Sequence, residues 1–238
     1  MEIKKPTLYI IPSFIGGDES LLHISTYNLK IINGIKYFIV ESEKKSRRFI
    51  KKILPERNQN DLFFFQIKND KNCLNIEKYL NPLRKGENMG LMSDSGNPVI
   101  ADPGASIIST AHTLKIKVKP LVGPSSILLG LISSGMNGQR FTFNGYLPIN
   151  TKDRIKKLKY LERKSLKNDE TQIFIETPYR NNQLLAIIKK VLSLNTQLSV
   201  ASCLDSKEEK IISLSIREWK KEKIDLNKKP TVFLIATK

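Results

Sequence analysis

Short apolar runs alternate along this chain with stretches whose apolar residues recur at helical spacing. Thr7–Phe14 ("TLYIIPSF"), Lys36–Ser42 ("KYFIVES"), Leu62–Ile67 ("LFFFQI"), Met89–Asp94 ("MGLMSD") and Lys117–Gly123 ("KVKPLVG") read as strands. Between them, Lys44–Leu54 gathers Phe49, Ile50, Ile53 and Leu54 on one face of a helix, with basic residues over the rest. Asn75–Glu87 reads as a helix interrupted near Pro82, and Gly104–Ile116 as another helix. The pattern then restarts. Ser125–Gly135 is a buried helix rich in small residues, Phe141–Pro148 a strand, and Lys152–Lys167 a basic amphipathic helix. Thr171–Arg180 is a strand followed by a loop, and Asn181–Leu194 a helix. Gln197–Asp205, Lys210–Ile216 and Pro230–Lys238 complete the set as strands. Alternating strands and helices predict α/β architecture with mostly parallel strands. The restart predicts two α/β domains, 1–121 and 122–238.

Composition narrows the functional classes. With 40% hydrophobic and 26% charged residues, a packed core is expected. The apolar start of the chain reads as a first strand rather than a secretory leader, and no run is long enough to span a bilayer. Cys73 and Cys203 match no metal spacing, which points to a reducing, cytoplasmic setting. The net charge of +17 has two readings, an anionic partner such as nucleic acid or a general bias toward lysine. No G-x-G-x-x-G, P-loop or H-E-x-x-H is present. The only histidines, His23 and His112, sit in unremarkable surroundings, so neither a catalytic triad nor a metal centre is expected.

Two loops carry candidate chemistry. "SDSGNPVIADPG" (Ser93–Gly104) follows a strand end with aspartates, glycines and prolines and little bulk. In open α/β sheets such ends are where ligands bind. Gly96 and Pro98 keep the turn low so that a ligand can approach the backbone. "VGPSS" repeats the device, ending in Ser125 and Ser126 at a helix start. Each loop alone also fits an ordinary capped turn. Asp102 fits either a ligand loop or the N-cap of a helix starting at Pro103.

"TLYIIPSFIGG", "GLMSDSGNPVIADPG", "KPLVGPSSI", "FTFNGYLP" and "FIETPYR" follow the order and spacing of the tetrapyrrole methylase superfamily. The chain most resembles the bacterial branch that methylates a ribose 2′-hydroxyl of small-subunit ribosomal RNA. The resemblance runs from Leu8 to about Lys238, where that branch commonly carries a further C-terminal extension. It implies two α/β domains with S-adenosylmethionine in the cleft between them, in a homodimer without metal. By position it assigns Pro12, Ile15, Ser93, Asp94, Gly96, Pro98, Ser125, Ser126, Thr177 and Pro178 to the donor. Where that branch reads A-E-D-T-R-H-T-R, this chain reads "VESEKKSRR", with Ser42, Lys44 and Lys45 replacing other residues. Tyr179 replaces a histidine, and of R-E-L-T-K-x-H-E only Leu204 and Glu209 remain. The donor half looks intact and the acceptor half rebuilt, as in a divergent paralogue.

Methyl transfer to a hydroxyl needs a proton acceptor, for which Glu41, Glu176 and Tyr179 are candidates. Glu41 also fits a strand-end carboxylate paired with Lys45 or Arg47. Lys44, Lys45, Arg47, Arg48, Arg154 and Lys157 are the candidate RNA contacts, on helices that fit solvated faces as well. Two other functions remain open: methylation of a small molecule such as a tetrapyrrole precursor, and a non-enzymatic RNA-binding or assembly factor that retains the fold.

Overall fold

The computed structural model describes residues 6–16, 23–67 and 76–237. The chain divides into two compact units, Met1–Ser125 and Ser126–Lys238. The first unit runs β1 (Thr7–Ile11), α1 (Thr26–Asn33), β2 (Tyr37–Val40), α2 (Glu43–Ile53), β3 (Phe63–Gln66), α3 (Ile76–Tyr79), α4 (Asn81–Arg84), β4 (Met89–Met92), α5 (Ala105–Thr113) and β5 (Lys117–Pro120). Its sheet has the order β3-β2-β4-β1-β5, and every pairing is parallel. Alternate strand residues face opposite layers. Tyr9, Ile11, Phe38 and Val40 pack with Ile32 of α1 and Ile50 and Ile53 of α2. Leu8, Ile39, Met89 and Leu91 pack with Ile107 and Ala111 of α5. A parallel sheet aims all its strand C-terminal ends at one edge, so the exits of β2, β4, β1 and β5 stand side by side. The chain leaves β2 toward β3 and leaves β4 toward β5, in opposite directions, which makes the β2/β4 border the switch point of the sheet.

The second unit runs α6 (Ser126–Ser134), β6 (Phe141–Tyr146), α7 (Thr151–Asn168), β7 (Thr171–Ile175), α8 (Asn181–Val191), β8 (Gln197–Ser202), β9 (Lys210–Ser215), α9 (Ile216–Trp219) and β10 (Thr231–Ala236). Its order is β6-β7-β10-β8-β9. Only β6 and β7 run parallel here, and the other pairs are antiparallel. The turn from β8 to β9, with Cys203 and Asp205 at positive φ, is too short for the crossover a parallel pair needs. One face of the sheet carries the larger core, where Leu158, Leu161, Leu184 and Ile188 meet Phe174, Phe233 and Trp219. On the other, Ile127 and Leu131 of α6 cover Ile173, Val232 and Leu234.

Two helices were not anticipated, and both have caps that the sequence spells. Ser25 accepts the Asn28 amide at the start of α1. Ser215 and Glu218 form a reciprocal capping box on α9. The break in 76–84 falls at Leu80 rather than Pro82, because proline is tolerated in the first turn of α4. No helix among the described residues is long and apolar enough to cross a membrane.

Trp219, the only tryptophan, is fully buried and donates Nε1–H to the Leu198 carbonyl at 2.8 Å. Trp219→Phe removes both ring volume and that bond and is expected to cost about 2–3 kcal/mol. Urea titration followed by circular dichroism checks it; an unchanged midpoint would contradict this account of the core.

Candidate functional site

Three loops of the first unit, after β1, β4 and β5, are stitched together at the edge where the parallel strands end. The Ser13 amide donates to the Gly96 carbonyl at 2.9 Å, and the Gly96 amide returns a bond to Phe14 O at 3.4 Å. The Ser13 hydroxyl donates to Ser93 O, and the Ser95 hydroxyl to Phe14 O. Asn97 Nδ2 donates to Pro124 O at 2.9 Å, which ties the β4 loop to the β5 loop. Gly123 lies flat on Pro12: an added Cβ would stand 2.1 Å from Pro12 Cγ. Pro12, Ile15, Ser93 and Gly96 therefore share one cradle, with Pro98 farther along the β4 loop and Ser125 at the end of the first unit. Ser126, Thr177 and Pro178 belong to the second unit.

The β4 loop is held in an unfavourable shape. Val99 has φ 77° and Ala101 φ 65°, in the left-handed region that a β-branched residue avoids. Strain of this kind persists where the surroundings over-determine the backbone, commonly at functional sites. Gly104, at φ 128°, begins α5 without a side-chain cap. Asp102 is therefore not the N-cap expected of it, because the helix starts later than Pro103.

Asp102 instead joins two other carboxylates near Ser93. Burial raises its pKa above the ordinary aspartate value, the Ser93 hydroxyl opposes the shift, and the Asp94 charge adds to it. Glu41, at the exit of β2, accepts the Asp94 amide on Oε1 at 3.1 Å. Its pKa is raised chiefly by burial, against the Asp94 amide; Asp102 and Asp94 push it further and Lys45 draws it back. Lys45 Nζ is bonded to Asp94 Oδ2 at 2.8 Å rather than to Glu41, while Asp94 Oδ1 is buried with no hydrogen-bond partner. Arg47 does not pair with Glu41 either. It binds Glu43 at 2.8 Å and the carbonyls of Gln59 and Leu62, and its guanidinium lies 4.5 Å from the Phe64 ring centroid.

Those bonds commit Arg47 to the fold and remove it from the RNA-contact set. Lys44, Lys45 and Arg48 remain exposed on α2. Arg154 is also a correction. It is 1% exposed and spends its guanidinium on Pro148 O, Ile149 O and Glu176, so it holds loops and reaches no phosphate. Its signal was present in the sequence, because Arg154 shares a helical face with the buried Leu158, Leu161 and Ser165. Glu176 is corrected with it. Its oxygens bind Arg154 at 3.0 Å and Arg180 at 2.7 Å, with no exposed side-chain surface, so the carboxylate is neutralised in place rather than poised as a base. Tyr179 is 74% exposed, and half-buried Lys157 rests its Nζ over Tyr160.

A cavity of about 200 Å³ opens between α2 and the loops after β1 and β4. Phe14, Phe49 and Met92 line it, with Lys45, Arg48, Lys52 and Asp94. Among the described residues no cluster of His, Cys, Asp and Glu could hold a metal ion. Cys203 is a free, half-buried thiol whose pKa is raised by burial; Cys73 lies outside the described residues.

The chain is similar to proteins named ribosomal RNA small subunit methyltransferase I. That of Buchnera aphidicola subsp. Schizaphis graminum is 30% identical over 98% of this chain and 78% of its own length. That of Bacillus subtilis is 30% identical over 89% and 68%, and that of Escherichia coli O157:H7 is 28% identical over 96% and 77%. Among solved structures, the methyltransferase CobJ superposes with a TM-score of 0.63 over 97% of this chain and 93% of its own, at 13% identity, which establishes likeness of fold. No protein-family model matches.

A carboxylate whose pKa is raised by folding is most favourable when protonated, so its burden on stability appears as pH rises above the ordinary carboxylate range. Asp102→Asn is therefore expected to raise Tm at pH 7, with the gain vanishing below about pH 4. Thermal melts across pH test this; a loss of Tm at pH 7 would mean that the charge is stabilising.

Proposed function

The chain belongs to the ribosomal RNA small subunit methyltransferase I family within the tetrapyrrole methylases, and from that premise we propose that it methylates small-subunit ribosomal RNA with S-adenosylmethionine as donor. The observation that carries this reading is the stitched, strained cradle on the first unit, joined to a family whose members are named for this reaction. The residues fit the donor. Pro12, Ser13, Ser93, Gly96, Asn97 and Gly123 keep bulk away and expose main chain, and the Glu41 and Asp102 carboxylates nearby favour a cationic ligand. S-adenosylmethionine supplies an electrophilic methyl group on a sulfonium.

The chain's own groups would position the acceptor and take its proton. Direct displacement asks mainly for alignment, which a cradle locked by five inter-loop hydrogen bonds favours. Glu41 is the proton acceptor of this reading. Burial and two neighbouring carboxylates raise its pKa, which strengthens it as a base for a ribose 2′-hydroxyl. The bond from the Asp94 amide occupies Oε1 and fixes the carboxylate's orientation, so Oε2 is the atom assigned to the proton. Lys44 and Arg48, exposed on α2, supply attraction for phosphate.

Small ribosomal subunits from cells lacking the gene should accept labelled methyl from the purified protein, mapped by mass to a ribose. Subunits that gain no label in the presence of donor would overturn the reading. Binding to those subunits should weaken at least about tenfold between ~50 and ~200 mM salt. For Glu41→Gln, kcat should fall by about two orders of magnitude. The wild-type rate should be lost as pH falls through the raised Glu41 pKa, and this acid limb should be absent from the variant. An unchanged pH profile would acquit Glu41.

A further inference from the structure

We propose that the cavity between α2 and the loops after β1 and β4 receives a single unstacked nucleobase of the acceptor RNA, with the adjoining phosphate on Arg48 and Lys52. This rests on the RNA-methyltransferase reading and extends it from a charged surface to a pocket with a stated occupant.

Size is the first argument. At about 200 Å³ the cavity is smaller than the roughly 300–1,000 Å³ of drug-sized ligand sites, a size that suits one ring system. Its lining is the second. Phe14 and Phe49 stand edge to face at 4.8 Å and, with Met92, make an apolar wall. Single-stranded RNA is commonly gripped this way, with bases against aromatic rings and cations along the backbone. Lys52 Nζ lies 5.3 Å from the Phe14 ring centroid and Arg48 stands exposed beside it, so aromatic wall and cationic rim adjoin.

The third argument is an unmet hydrogen bond. Asp94 lines the cavity, and its Oδ1 is buried without a partner although Oδ2 is held by Lys45. A buried, unpaired carboxylate oxygen calls for a donor from the ligand. An exocyclic amino group, as on cytosine, adenine or guanine, supplies one; a ribose phosphate can donate through its hydroxyls but offers no ring for Phe14. Asp94 is also the residue whose amide holds Glu41, so base recognition and the proton acceptor are coupled through one residue. On this reading Asp94 serves the acceptor rather than the donor.

The test measures binding of the four nucleoside 5′-monophosphates and of ribose 5-phosphate to the full chain by NMR or calorimetry. Amino-bearing nucleotides should bind about tenfold more tightly than ribose 5-phosphate. Phe14→Leu should erase that ratio, and Arg48→Ala with Lys52→Ala should weaken all five ligands while leaving it. Circular dichroism confirms that each variant folds; the Arg48 and Lys52 changes lie on the surface and keep the test valid if Phe14→Leu does not fold. Equal binding of ribose 5-phosphate and nucleotides overturns the inference. So does competition by saturating S-adenosylhomocysteine, which would give the pocket to the donor. Methylated ribosomal subunits with no base-dependent binding would sink the pocket and leave the function standing. Base-dependent binding with no methylated RNA would support the pocket and sink the function.

Discussion

Two backbone hydrogen bonds, Ser13 N–H to Gly96 O and Gly96 N–H to Phe14 O, extend the pairing of β1 and β4 past the ends of both strands. Most of the site depends on them. They join the two exits, and with the Glu41–Asp94 bond they gather Ser93, Asp94 and Glu41 at the same edge. A parallel sheet makes this geometry available, because neighbouring strands finish together there. An antiparallel neighbour would have placed one of the two loops at the opposite edge. The second unit, with its antiparallel pairs, builds differently: its buried polar centre is the Arg154–Glu176–Arg180 network, where charge is neutralised rather than left open.

The elements of the fold were largely legible. Apolar runs such as "TLYIIPSF" and "KYFIVES" became strands because both faces of the first sheet are covered, which makes a central strand apolar along its whole length. Strand direction was not legible in the second unit, since periodicity carries burial and not orientation; the short turn after Ser202 was the overlooked sign. The helices at Thr26 and Ile216 escaped because each is short and weakly periodic, so that only the caps announce them.

The candidate site divided along the same line. Loops made of glycine, proline and small hydroxyl residues were recognisable because backbone shape is written into residue type. Roles that depend on partners were not. Arg47, Arg154 and Glu176 have the composition of contacts and a base, yet each is consumed by neighbours distant in the chain. The triad of Glu41, Asp94 and Asp102 spans strand exits that only the sheet order makes adjacent. Burial raises the pKa of Glu41 and Asp102, in keeping with sites held ready rather than relaxed.

The clasp of Gly123 on Pro12, with the Asn97 bond to Pro124, has a temporal side. The loop after β1 is fastened by nearly the last residues of its own unit. During synthesis, which proceeds N-terminus first at about 5–20 residues per second, the cradle stays unlatched until β5 and its exit have emerged. A nascent chain halted short of Pro124 would carry all five strands of the first sheet with its β4 and β5 loops still untied.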